Sequence, residues 1–132
     1  MLCYPRGLTG LFVFIAAVAY GAQARDRDAT WIAPADKTSR MNPFAGRADV
    51  EAGGRKVFQQ RCATCHGGDG RGTSKAPNLT KRDVQAQTDG ALFWKISQGN
   101  AHTGMPAFSF LPEPQRWQLV MHVRSLTAVT AP

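Results

Sequence analysis

Alternation of apolar and polar residues, the mark of a half-buried strand, is missing throughout this 132-residue chain. That absence excludes a sheet-based core and leaves helices and loops. Internal repeats and low-complexity tracts are also missing, so the length fits one small domain with some residues to spare. No hydrophobic run is long enough to span a bilayer. The longest, from Leu8 to Tyr20, is about 13 residues, where a membrane helix needs roughly 20. Acidic residues are scarce, with 9 Asp and Glu against 16 Lys and Arg for a net charge of +7. The basic residues are scattered, with no run beyond Lys81-Arg82, which argues against nucleic acid and for an acidic protein surface or an anionic membrane. Cysteine is nearly absent, at three residues.

What is present begins with a leader. Arg6 and the amino terminus precede the apolar run, and Gly21-Ala22-Gln23-Ala24 closes it with small residues, the pattern of a secretory signal cleaved after about residue 24. An uncleaved N-terminal anchor is the alternative. Cleavage removes Cys3 and leaves Cys62 and Cys65. It also removes Arg6, yet the exported chain stays basic, with the 16 Lys and Arg reduced by one against 9 Asp and Glu. About 108 residues then remain, enough for a modest core that a bound cofactor would complete.

Residues 25–48 are polar, broken by Pro34 and Pro43, and hold no sustained period, which predicts an irregular arm whose aromatics, Trp31 and Phe44, lie against the domain. The domain itself is assigned to residues 49–132. A first helix is expected from Asp49, as N-cap, to Arg61, with Val50, Gly54, Val57 and Phe58 on one face. Gly54 weakens a helix, so its presence there points to close approach by another element. A glycine-rich loop covers 67–80. A second helix is expected from Thr88 or Asp89 to Gln98, stopped by Gly99, with Leu92, Phe93 and Ile96 as its stripe. After a loop over 100–112, a last helix starts at Glu113-Pro114 and carries Trp117, Val120, Met121 and Val123 towards Leu126. The expected class is all-α, three to five helices around a cofactor, because loops this long need something to pack around.

Cys62-Ala63-Thr64-Cys65-His66 carries the chemistry. A C-x-x-C-H run is the attachment signature of c-type haem. Two thiols three positions apart on a helical turn each add to a vinyl group of one porphyrin edge, and the following histidine ligates iron. Competing readings are weaker. A redox dithiol of the thioredoxin kind needs a βαβ pattern, which is not visible. A structural zinc site needs four ligands, and only His102 and His122 remain, at irregular spacing.

With these residues in view, the chain resembles the class I cytochrome c family, as a bacterial single-haem member, over about residues 50–126. Gly54 and Phe58, the Cys62–His66 run, Ala76-Pro77-Asn78-Leu79, Gly104-Met105-Pro106 and Trp117–Leu126 carry the resemblance. It implies that the first and last helices cross near Gly54, that Pro77 and Leu79 belong to the cofactor-binding loop, and that the Pro77 carbonyl fixes the proximal imidazole of His66. It implies Met105 as sixth ligand, in a loop that Pro106 stiffens. His102, in the same loop, is the competitor, while Met41 and Met121 are weaker rivals. The chain departs from the family in having His122 where the last helix usually carries a tyrosine.

The resemblance implies one haem c held through Cys62 and Cys65, with His66 and Met105 on the metal. Two protein ligands would leave no open position for oxygen or peroxide and would raise the potential. The expected function is therefore single-electron transfer between a dehydrogenase or respiratory complex and an acceptor, with no catalytic residues and no enzymatic role. The alternative is a haem enzyme or gas sensor with a labile sixth ligand. Expected partners are redox proteins, whether dehydrogenase, oxidase or another cytochrome, met as a free monomer or within a larger complex. Arg71, Lys75, Lys81, Arg82 and Lys95 are candidates for a basic docking rim. The expected location is the periplasm, with at most peripheral contact at the outer face of the cytoplasmic membrane.

Overall fold

The computed structural model describes residues 31–126; the expected leader, the start of the arm and residues 127–132 lie outside that range. Within it the chain forms α1 (Ala35–Thr38), a 3-10 turn (Ala48–Val50), α2 (Glu51–Arg61), α3 (Ala63–His66), α4 (Arg82–Gln85), α5 (Asp89–Gln98) and α6 (Glu113–Ser125). The expected all-α class is borne out. Among the described residues there is no strand, only a single antiparallel bridge between Asn100 and Met105. No helix of the described residues is long and apolar enough to cross a membrane.

Helix α2 begins one residue later than a cap at Asp49 would place it. Asp49 is not its cap: the carboxylate pairs with the Arg47 guanidinium at 2.6 Å, and the chain enters the helix through a 3-10 turn with no side chain capping it. Helix α5 starts where expected. The Thr88 hydroxyl accepts from the Ala91 N–H at 3.2 Å and donates to the Thr38 carbonyl at 2.7 Å, so one side chain caps the helix and ties the arm to it.

The crossing of α2 and α6 organises the domain. Gly54 is buried, and a methyl group there would run into the Gln118 carbonyl oxygen and carbon. The two backbones come this close because the position has no side chain. Phe58, Leu119 and Val120 are buried beside the crossing. On its other face α6 packs on α5, where Leu92, Phe93, Trp117, Val120 and Val123 form one cluster, with Phe44, Leu79, Val84 and Ile96 against it. Phe93 stacks on Trp117 at 4.0 Å between ring centres, and the Arg40 and Arg116 guanidiniums lie 4.8 and 4.7 Å from the Phe93 ring.

The arm lies along this core. Asn42 donates to the Trp117 carbonyl at 3.3 Å, Arg40 pairs with Glu113 at 2.7 Å, and Phe44 is half-buried. Trp31 sits beneath Lys95, whose ammonium is 4.6 Å from the ring centre.

Candidate functional site

Cys62 ends α2, and the chain turns at once into α3, so Cys62, Cys65 and His66 share one continuous helical path. The Cys62 N–H donates to the Phe58 carbonyl at 2.8 Å, and its own carbonyl accepts from the N–H groups of Cys65 and His66 at 3.1 and 2.9 Å. No disulfide joins the two cysteines. Burial, and secondarily the neighbouring Cys65, pushes the Cys62 thiol up to about 11. A reactive redox cysteine needs the opposite shift, towards thiolate at neutral pH. The raised thiol and the open pair speak against a dithiol that cycles.

His66 Nδ1 lies 2.9 Å from the Pro77 carbonyl oxygen. A carbonyl only accepts, so Nδ1 carries the proton and Nε2 keeps its lone pair for a metal. The loop that presents Pro77 is pinned at several points. The Gly72 N–H donates to the His66 carbonyl at 2.7 Å, and the Leu79 N–H to the Gly70 carbonyl at 2.7 Å. Gly72 adopts a φ of +86°, and a methyl group on it would meet the Asn78 nitrogen at 2.7 Å and the Ala76 oxygen at 2.9 Å. Gln85 donates from Nε2 to the carbonyls of Leu79 and Val123, at 2.8 and 2.9 Å, tying the far end of the loop to α6. Leu79 itself packs, half-buried, against the α5–α6 cluster.

Met105 lies on the loop between α5 and α6 and is half-buried. Its backbone is fixed, since Asn100 and Met105 exchange both N–H···O bonds at 2.8 and 3.0 Å, and the Phe108 N–H donates to the Ile96 carbonyl at 3.1 Å. His102, at the tip of the same loop, is exposed, and Met41 is 85 % exposed in the arm. Met121 is half-buried on α6. Among the described residues no three His, Cys, Asp or Glu side chains gather to hold a metal ion. His66 offers one nitrogen, and a porphyrin would supply further ones. The residues present fit a c-type haem.

Of the basic residues, Lys75, Lys81 and Arg82 are exposed and, among the described residues, in no ion pair. Arg71 is engaged with Asp69 at 3.5 Å, and Lys95 lies over Trp31. Sequence reasoning missed the buried contact between His122 and Glu51, and the part of Thr73 in the loop. Only the unusual histidine in the last helix signalled the first, and nothing in the sequence signalled the second.

Comparison with known proteins places these features. Residues 48–123 match the family model described as cytochrome c oxidase, cbb3-type, subunit III. The cbb3-type cytochrome c oxidase subunit FixP of Bradyrhizobium diazoefficiens is 37% identical over 79 residues, covering 57% of this chain and 27% of that protein. The chain thus matches about a quarter of its relative's length. The matches overturn the expectation of no enzymatic role, because the family and the relative are both described as subunits of an oxidase, which is an enzyme. The reason is physical. A tethered-haem domain passes one electron at a time, so the chemistry of a larger enzyme leaves no imprint on its residues.

Proposed function

The chain belongs to the family of cbb3-type cytochrome c oxidase subunit III, and from that premise we propose that it relays single electrons within, or to, an oxidase of that kind through a His66- and Met105-ligated haem. The chain is a haem c electron-transfer protein. Cys62 and Cys65 tether the group covalently, and His66 supplies the imidazole. When bound, haem c supplies a one-electron couple whose potential follows its axial ligands and their hydrogen bonds.

The chain's own residues hold that couple in place. The Pro77 carbonyl accepts a hydrogen bond from His66 Nδ1–H and so fixes both the tautomer and the ring orientation. The Asn100–Met105 bridge holds the methionine at a fixed point of its loop, and Pro106 restricts its backbone. A prearranged pair of ligands need not move when the charge changes. Lys75, Lys81 and Arg82, next to the Pro77 loop and in no ion pair among the described residues, steer an acidic partner surface. The exported location and the leader at residues 1–24 belong to the same reading, because haem is attached outside the cytoplasm.

The observation that carries the proposal is the contact between His66 Nδ1 and the Pro77 carbonyl, immediately after two unbridged cysteines. The test is to produce the chain in a host able to attach haem, then measure its mass and redox spectra. A peptide-plus-haem mass with a Soret band and low-spin spectra in both states is expected; a bare peptide mass without visible absorbance would refute it.

A further inference from the structure

Pro77 has no N–H, so no backbone bond of its own can place its carbonyl. The position of that carbonyl is inherited from its neighbours. On one side Leu79 is tied to Gly70; on the other the Ala76 carbonyl accepts from the Thr73 N–H at 3.0 Å. The Thr73 hydroxyl completes the link to the haem-bearing turn. It donates to the Cys65 carbonyl at 2.5 Å and accepts from the Lys75 N–H at 3.0 Å. Thr73 thus bonds at once to the residue before His66 and to the residue before Pro77. It spans the two ends of the hydrogen bond between them.

We propose that Thr73 is a positioning residue that tunes the donor strength of His66 and, through it, the reduction equilibrium of the tethered iron; this rests on His66 being the proximal ligand. The backbone bond from Gly72 to the His66 carbonyl does not replace it, because that bond holds the turn and not the Pro77 carbonyl. With the hydroxyl in place, the Pro77 oxygen stays 2.9 Å from Nδ1 and draws the ring proton towards itself, leaving negative charge on the imidazole. A more negative imidazole favours ferric iron and lowers the potential. Without the hydroxyl, the 73–76 turn loses its tie to Cys65 and its Lys75 bond, the Nδ1–H···O contact lengthens, and ferrous iron gains.

The test uses the haem-loaded chain as Thr73→Val, Thr73→Ala and Thr73→Ser. Thr73 is exposed, so none of these changes touches the core. Two quantities are read: the midpoint potential, and the proton resonance of His66 Nδ1–H in the reduced, diamagnetic protein. In Thr73→Val and Thr73→Ala the reduction equilibrium is expected to shift about threefold towards ferrous, about 30 mV upward for a one-electron couple, with the Nδ1–H resonance moving upfield. Thr73→Ser restores both. A merely structural role would lower the unfolding midpoint and leave both readouts in place, which would overturn the proposal, as would Thr73→Ser behaving like Thr73→Val. Failure of the underlying reading looks different: the unmutated chain would then carry no haem, or keep its spectrum without His66.

Discussion

His122 Nδ1 lies 2.6 Å from Glu51 Oε1, joining α6 to α2 beside their glycine crossing. The imidazole is 4 % exposed, its Nε2 is buried with no partner among the described residues, and its ring meets Phe58 at 4.8 Å. Ser125 donates to the same Glu51 oxygen at 3.1 Å. This polar clasp stands where the resemblance leads one to expect a tyrosine.

The clasp makes stability depend on pH at the acid end. The hydrogen bond from His122, against the opposing effect of burial, holds the Glu51 carboxyl below its ordinary value of 4.5. A carboxyl that binds its proton more weakly folded than unfolded contributes stability that is full above about pH 4.5 and drains away as pH falls through the folded value. Urea unfolding between about pH 3 and pH 7 should show this acid limb. Glu51→Gln should flatten it while costing about 1 kcal/mol at neutral pH. An acid limb unchanged in Glu51→Gln would remove the clasp from the account.

Removing the imidazole should cost more. His122→Ala leaves the Glu51 carboxylate with the Ser125 hydroxyl but without the imidazole and opens a gap against Phe58, a loss of about 2–3 kcal/mol. Chemical denaturation of the haem-loaded protein measures it. A loss below about 0.5 kcal/mol, the level of an ordinary surface change, would show that the contact is not a structural one.

Gly54→Ala tests the crossing itself. The new methyl would meet the Gln118 backbone, not a flexible side-chain end, so the helices must part. Overpacking of this kind costs about 3 kcal/mol or more, and thermal unfolding should show a clearly lowered midpoint. A midpoint equal to that of the parent would mean the helices do not approach as described.

Met105→Ala should convert a low-spin spectrum to high spin and abolish the weak far-red sulfur-to-iron band of the oxidised protein. His102→Ala should leave both alone, since that side chain is exposed at the loop tip. Carbon monoxide should bind the reduced Met105→Ala protein fast and the parent slowly. Rapid, stoichiometric binding by the parent would favour a ligand-reactive haem over a relay.

Lys81→Glu and Lys75→Glu should slow electron transfer to an acidic partner severalfold at low salt, and the difference should shrink as ionic strength rises. Stopped-flow rates across a salt series report it. Salt-independent rates would take charge steering out of the mechanism.

Much of this was legible in the chain, and the reason differs by feature. Helices α5 and α6 were readable because cap, stripe and stop are local: Thr88 and Gly99 bracket Leu92, Phe93 and Ile96, and Pro114 marks the first turn of α6. The start of α2 was misplaced because Asp49 had a better partner in Arg47 than the helix end. The single turns α1 and α4 escaped notice because four residues carry no period. Their supports come from elsewhere: α4 is held by Gln85 reaching Val123, and by Arg124 donating to the Gln85 and Gln87 carbonyls.

The order of residues alone brought Cys62, Cys65 and His66 together on one short helical path, since they need no distant contact to meet. It also settled the all-α class, because apolar periodicity is a local property. Tertiary structure decided which nitrogen of His66 is free, which loop carbonyl holds it, and what a histidine at position 122 does. Those depend on residues brought together across 11 to 71 positions of chain, and partners so far apart meet only through the packing of the whole domain.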